Sequence, residues 1–474
     1  LSAEENDASP EHEKHTLVLG EVSRKRVIDL RINDALLRAS DITGTLDGLQ
    51  IPDGTPFLAE ANGEVELLRF VNAYLLDAAQ QRAYPLGTLR TQHAAVFRRL
   101  LERVRDKRDP CADLIDVTRE DLFEYRDHRR SRLQSSSWNS ELSIISNFFR
   151  YAREKEWIAR DPVARWGSTG RVTMKAKEQH VKRIRFLTEG QARFFLEAGL
   201  RGDGAAPEAR VTFPERDYAF GLTLVSTGLR RLEASLLLEA EIPKSVDASG
   251  VHVFWRVGKG DRPREIWVAE AVATAIDHYR LIEREYVVQR AQRALRKAKR
   301  DGRLVMAEVL ERHGEPRFRI DGVMMRAEQI GDDLRRHAVR VRPDGMLDPL
   351  ALFVMQGGRG PSLKRFNATF NEASERVALF GPHRDSPPAH LSVTPHIMRH
   401  TFAVRMLAAL MRHGRETAGN PNLHLTHPLL VVQELLGHAR RDTTELYLHH
   451  AHRYSDQVPN VIRDAAVRMV STNA

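Results

Sequence analysis

The sequence predicts a mainly helical α+β protein: a small all-helical domain followed by a larger helical one that carries a β-hairpin. Two patterns carry this. Between Glu64 and Trp166, the stretches FVNAYLLDAAQQRAY, TLRTQHAAVFRRLLERVR, TREDLFEYRDHRRSRL and SWNSELSIISNFFRYAREKEW repeat apolar residues at spacings of three and four, with polar or basic faces between them. Further on, VHVFWRVGKGDRPREIWV (251–268) alternates apolar residues on either side of a Gly-Lys-Gly-Asp turn, the pattern of a hairpin.

Taken in order, residues 1–16 are acidic and polar without an apolar period and read as a disordered lead-in. Residues 17–63 form an N-terminal extension whose mixed pattern fits either a separate arm module or a segment packed on the helices. The helical domain follows over 64–165. Thr118 before Arg119-Glu120-Asp121 predicts a helix N-cap with acidic first-turn residues. Residues 166–187, rich in Gly, Ser and basic side chains, read as an exposed basic linker. The second domain spans 188–460 and opens on Thr188-x-x-Gln191, a capping-box signature. Within it, 284–348 is a charged insertion, helical at first and then mixed; 461–474 is a tail apolar enough to pack on a neighbouring subunit.

At 474 residues the chain is long enough for two or three domains of about 100 to 200 residues each. Its net charge of +9 is spread along the chain and points to a polyanionic partner, DNA or RNA before membrane. The single cysteine, Cys111, excludes an internal disulfide and a Cys-based zinc site. No apolar run reaches about 18 residues and no signal segment opens the chain, so the expectation is a soluble cytoplasmic protein.

Four short segments of the second domain stand out together: STGLRRLEASLLL (226–238), GKGDRPREIW (258–267), TPHIMRHTF (394–402) and LGHARRDTTELYL (436–448). Each alone is weak, since an Arg after a turn, a glycine turn, two residues one helical turn apart and a half-buried Tyr are ordinary features of helical domains. Their order is specific. It resembles the tyrosine recombinase (phage integrase) family, whose catalytic domain carries an Arg in T-G-L-R-x-x-E, a Lys in a β-hairpin, H-x-x-R, L-G-H, and a Tyr nine residues beyond that His. The matching positions are Arg230 with Glu233, Lys259, His396 with Arg399, His438 and Tyr447. The helical domain is similar to the family's core-binding domain.

The resemblance implies a DNA strand-breaking and rejoining enzyme, a site-specific recombinase or integrase working through a 3′-phosphotyrosyl intermediate and a Holliday junction. It implies that Tyr447 is the nucleophile, that Arg230 and Arg399 hold the scissile phosphate, and that Lys259 protonates the leaving 5′-oxygen. His396 would assist proton transfer at Tyr447, His438 would donate to a phosphate oxygen, and Glu233 would support Arg230. Such residue types suit the reaction: a phenol of pKa about 10 must lose its proton as it attacks, and two planar guanidiniums neutralise non-bridging oxygens. The resemblance further implies that neither metal nor ATP is needed. Partners would be double-stranded DNA sites, a tetramer formed on DNA, and accessory DNA-bending proteins, with no membrane. In the linker, Arg171, Lys175, Lys177, Lys182, Arg183 and Arg185 are candidates for DNA-backbone contact, as are the helices around 88–105 and 136–153 for groove contact.

Three other readings compete. His396 and His400 lie at i, i+4 as in zinc-binding helices, but HIMRH lacks the Glu of a zincin and no third ligand has a recognisable spacing, so no metal site is expected and His400 reads as a core or capping residue. A DNA-binding protein of the same fold that does not cleave, and a type IB topoisomerase-like enzyme that relaxes DNA, share the basic character. The basic residues Arg290, Arg293, Arg296, Lys297, Lys299 and Arg300 give the insertion a face for DNA or for a neighbouring subunit, or simply for water.

Overall fold

The structure is a computed structural model that describes residues 16–22, 31–32, 35–36, 50–62, 64–108, 110–166, 171–177, 184–205, 209–243, 250–258, 263–312, 315–362, 365–380, 392–416, 427–448 and 450–451. It is mainly helical with small sheets, and it divides into two compact units, Leu1–Val181 and Lys182–Ala474. The lead-in, apart from Thr16, and the tail 461–474 lie outside the described residues.

In the first unit, strands β1 (Thr16–Glu21), β2 (Pro56–Asn62) and β3 (Glu64–Leu67) form an antiparallel sheet in that order. Leu19 pairs with Leu58, and Ala61 with Val65. Four helical segments follow: α1 (Arg69–Gln80); α2 (Ala95–Lys107), entered through a π-helical turn over Leu89–Ala94; α3 (Arg119–Arg130); and α4 (Ser135–Glu154). Their apolar faces close on Phe97, Trp138, Phe148 and Phe149, all inaccessible to solvent. The described part of 17–63 packs on these helices. Leu17 and Leu58 join the same core, the Asn72 amide both receives a hydrogen bond from Leu58 N (2.8 Å) and donates to Leu58 O (2.7 Å), and Arg105 pairs with Glu60 at 2.9 Å. Helix α3 begins at a full capping box, with the Thr118 hydroxyl taking Asp121 N and the Asp121 carboxylate taking Thr118 N.

The expected exposed linker departs from its reading. Arg165–Trp166 pairs antiparallel with Arg171–Val172, and the chain then runs as a strap along α4 with Met174 and Ala176 buried. Trp138 Nε1 donates to Met174 O at 2.8 Å, and Asn139 both accepts from Ala176 N and donates to Ala176 O. The strap alternates, so Lys175 and Lys177 face solvent while the residues between them fill the core. The local composition is basic because only the outward positions are polar. At the far end Leu187 is buried, its N–H donating to Thr401 Oγ1 at 2.9 Å, and Arg185 is exposed; Lys182 and Arg183 lie outside the described residues.

The second unit opens with α5 (Glu189–Phe194), capped by the Thr188–Gln191 box. Helix α6 (Pro214–Thr227), the short α7 (Arg231–Ser235) and the hairpin of β4 (Val251–Val257) and β5 (Pro263–Ala269) lead to α8 (Glu270–Tyr279), α9 (Glu285–Arg290) and α10 (Gln292–Arg300). The latter half of the insertion is a sheet. Strands β6 (Val305–Arg312), β7 (Glu315–Ile320), β8 (Val323–Arg326), β9 (Ala338–Val341) and β10 (Leu347–Pro349) are ordered β8-β7-β6-β9-β10, with β6 and β9 parallel and α11 (Asp332–His337) between β8 and β9 in the chain. Helices α12 (Arg365–Leu379), α13 (Pro395–Glu416), α14 (Pro428–Leu436) and α15 (Arg441–Glu445) complete the unit.

The insertion is rooted in the unit rather than appended to it. Arg335, fully buried, donates to both oxygens of Glu241 at 2.8 Å and to Leu236 O at 3.0 Å. Arg284 bonds Asp348 at 3.0 Å and the carbonyls of Pro349, Ala351 and Leu352. Leu238 shares a core with Phe318 and Ile320 of β7.

Candidate active site

Four chain turns bring the motif residues together. Helix α6 ends at Gly228, whose φ of +64° and the Phe402 ring 2.4 Å from an added Cβ both call for glycine. The chain then turns so that Arg230 becomes the N-cap of α7. Glu233, at the third position of that helix, accepts from Arg230 N (2.8 Å) and from Arg230 Nη1 (2.8 Å). Arg230 keeps about a third of its side chain exposed (29%) and reaches Gly437 O at 3.3 Å.

Glu233 itself is buried and holds a second guanidinium, Arg264 of β5, at 2.5 and 3.3 Å. Burial pushes the Glu233 carboxyl upward, but the hydrogen bond and charge of Arg264, helped by Arg230, outweigh it and hold the group at about 2. Arg264 also donates to Leu435 O at 3.1 Å. It lies in the GKGDRPREIW segment yet was not among the residues singled out from sequence; its only signal was a basic residue at an inward position of an alternating strand.

Arg399, on α13, is buried and donates to the carbonyls of Gly228 and Leu436, tying the ends of α6 and α14 together. Burial and the neighbouring Arg230 charge push its pKa down to about 9. Helix α14 stops at Gly437 (φ +61°), so His438 follows a helix end. His438 Nδ1 lies 2.9 Å from Thr444 Oγ1, and burial together with Arg399, Arg230 and Arg264 lowers its pKa to about 4.

Tyr447 is 2% exposed and follows α15 in a turn, its N–H donating to Thr444 O at 3.0 Å. Its ring lies nearly parallel to that of His438, with centroids 6.1 Å apart. Burial raises the phenol's pKa, while Arg399 and Arg230 pull against it. The hydroxyl is 2.8 Å from Nδ1 of His400, not of His396. His400, read from sequence as a core or capping residue, is partly buried, and one turn beyond His396 the inward face of α13 also brings its ring to the phenol. Burial, then the charges of His396, Arg399 and His438, lower the His400 pKa to about 3, so the ring is neutral at neutral pH. His396 is exposed, 4.1 Å from His400 between ring centroids, and lines a cleft of about 450 Å³ with Arg231, Asn367, Asn371, Thr394 and Pro395.

Thus the charges of Arg230 and Arg399 act together on His396, His438 and Tyr447, with Glu233 bonded to Arg230; Lys259, between β4 and β5 in the chain, lies outside the described residues. Of the linker candidates, Lys175, Lys177 and Arg185 are exposed and Arg171 opens a short strand. Among the described residues no three His, Cys, Asp or Glu side chains gather as metal ligands would, and no helix is long and apolar enough to cross a membrane. The ring of His450 packs against Phe186, with centroids 5.4 Å apart.

No family model matches the chain. Sequence relatives do, and they define a class: the chain resembles the tyrosine recombinases, enzymes that break and rejoin DNA, along most of its length as well as in motif order. One relative is tyrosine recombinase XerC of Roseiflexus castenholzii, 24% identical over 341 residues, 72% of this chain and 76% of that protein. XerC of Lacticaseibacillus casei is 22% identical over 323 residues, 68% of this chain and 74% of that protein. Among solved structures, the Tn1549 transposon integrase in complex with circular intermediate DNA is 17% identical with a TM-score of 0.43, covering 80% of this chain and 94% of that one. A lambda integrase dimer bound to a COC′ core site is 14% identical with a TM-score of 0.43, covering 80% and 93%.

Proposed function

We propose that the chain is a site-specific tyrosine recombinase that cleaves and rejoins double-stranded DNA through a 3′-phosphotyrosyl intermediate. One observation carries the reading: a buried phenol, hydrogen-bonded to a neutral imidazole, lies within the field of two guanidiniums that come from distant parts of the chain. Packing alone would not gather so many buried or half-buried cations around one tyrosine, because each costs desolvation energy. An arriving phosphodiester would repay that cost.

In this reading Arg230 and Arg399 hold the non-bridging oxygens of the scissile phosphate. His438, with Nδ1 engaged by Thr444, turns Nε2 to the same group. Tyr447 attacks phosphorus, its proton passing to His400 Nδ1, and the bond from phosphorus to the 5′-oxygen breaks as Lys259 supplies a proton to that oxygen. His396 faces the cleft and is assigned to substrate contact instead of proton transfer. The phosphotyrosyl bond conserves the energy of the broken ester, so another strand's 5′-hydroxyl reverses the step without ATP or metal. Four protomers on two sites, with accessory DNA-bending proteins, would exchange strand pairs through a Holliday junction, at the nucleoid of the cytoplasm. The basic positions Arg171, Lys175, Lys177, Lys182, Arg183 and Arg185 would follow the DNA backbone.

The test is a nicked suicide duplex, selected for binding from a random pool, incubated with the full chain in excess chelator. A covalent protein–DNA adduct is expected, lost in Tyr447→Phe with DNA binding retained. No adduct on any selected duplex would leave a non-cleaving DNA-binding protein. Relaxation of a supercoiled plasmid without exchange between two sites would instead favour the topoisomerase-like reading.

A further inference from the structure

Arg264 is built into the junction of three motif segments, and the known motif order gives it no part. It stands at an inward position of β5 with about 6% of its side chain exposed. Its guanidinium spans both Glu233 oxygens, and its Nε reaches Leu435 O in the last turn of α14. Two glycines make room for it. An added Cβ at Gly437 would lie 3.0 Å from Arg264 Cδ, and one at Gly258 would lie 2.7 Å from Arg264 Nη1, 3.0 Å from Glu233 Oε1 and 3.2 Å from Arg230 Nη1. The hairpin therefore approaches the Arg230–Glu233 pair as closely as backbone allows.

Each bond has a consequence for a neighbour. Glu233 is shared: the oxygen that receives Arg230 Nη1 also receives Arg264 Nη1. With Arg264 occupying both oxygens, Arg230 keeps a single side-chain bond to Glu233, and its Nη2 reaches Gly437 O instead. The bond to Leu435 O meanwhile fixes the last turn of α14, from which Gly437 and His438 depart. A lysine could not do both, having one nitrogen where the fork has three.

We propose that Arg264 is a positioning residue, which sets the Arg230 guanidinium and the Gly437–His438 turn as a single preformed clamp for the phosphate charge; this rests on the recombinase reading above. A residue that only stabilised the fold would affect cleavage of any substrate alike. A clamp-positioning residue matters only where there is charge to neutralise.

The experiment uses the full chain and two suicide duplexes, one with an ordinary phosphodiester at the cleavage position and one with a methylphosphonate, in which a methyl group replaces a charged non-bridging oxygen. Single-turnover adduct formation is measured for wild type, Arg264→Met and Arg230→Ala. Arg264→Met is expected to be about a hundredfold slower than wild type on the phosphodiester and within about threefold of it on the methylphosphonate, tracking Arg230→Ala. An equal loss on both duplexes overturns the proposal and leaves Arg264 as fold support. If Arg264→Met does not fold, Arg264→Lys, which keeps the buried charge, carries the same comparison with the same deciding result. Failure of the wild type on both duplexes would sink the recombinase reading itself, a different outcome from either.

Discussion

At the residue scale, the site sets two imidazoles whose protonation is disfavoured beside a cluster of guanidiniums. The folded protein keeps His400 near 3 and His438 near 4, against 6.5 for an ordinary histidine. Between those values and 6.5 the unfolded chain binds more protons than the folded one, so stability rises with pH across that window and is lost on acidification from about 6.5 downward. Glu233, held at about 2 against 4.5, adds a further loss below 4.5. The melting temperature should therefore fall steadily from pH 7 to pH 4, and His400→Phe should flatten the upper part of that fall. The same variant, which removes the proton acceptor we propose for Tyr447, should form the covalent adduct about a hundredfold more slowly while binding duplex DNA as wild type does. A His400→Phe protein with wild-type cleavage would remove the ring from the mechanism. Sequence gave no reason to prefer His400 over His396, because one helical turn separates them and only the packing of α13 says which ring faces inward.

At the element scale, two glycine-ended helices set the geometry. Gly228 and Gly437 adopt left-handed φ angles, and their carbonyls accept from Arg399 and Arg230 respectively. A side chain at Gly228 would strain the turn and strike Phe402. Gly228→Ala should cost more than about 1 kcal/mol in urea unfolding and reduce adduct formation together, since the same turn carries Arg230. Capping was legible: the Thr118 and Thr188 boxes stand where their Ser/Thr-x-x-acid or amide spacing put them. The strap over 171–177 was not, because its alternation is short and its outward residues are those of a linker.

At the scale of the whole molecule, the charged insertion is tied to the catalytic unit through buried arginines. Arg335→Met would leave Glu241 buried without its partner and should cost about 3 to 5 kcal/mol, seen as a large drop in melting temperature. The exposed basic face of α10, by contrast, buries only Leu295 and Ala298, and reversing Arg296 and Lys297 to Glu should leave the melting temperature nearly unchanged. If that face meets DNA, the pair of reversals will lower the salt dependence of duplex binding; an unchanged slope would assign it to solvent or to another subunit.

The sequence by itself determined the helical class, the caps, the hairpin and the motif order that singled out Arg230, Arg399, His438 and Tyr447, because spacing along one chain encodes period, turns and residue chemistry. Only the tertiary structure decided that His400 meets the phenol, that Arg264 shares Glu233 with Arg230, and that the basic insertion is anchored by Arg284 and Arg335. Those pairings join residues tens of positions apart in the chain, and which of many charged side chains ends in contact with which is set by how the elements pack. A local pattern holds no record of that.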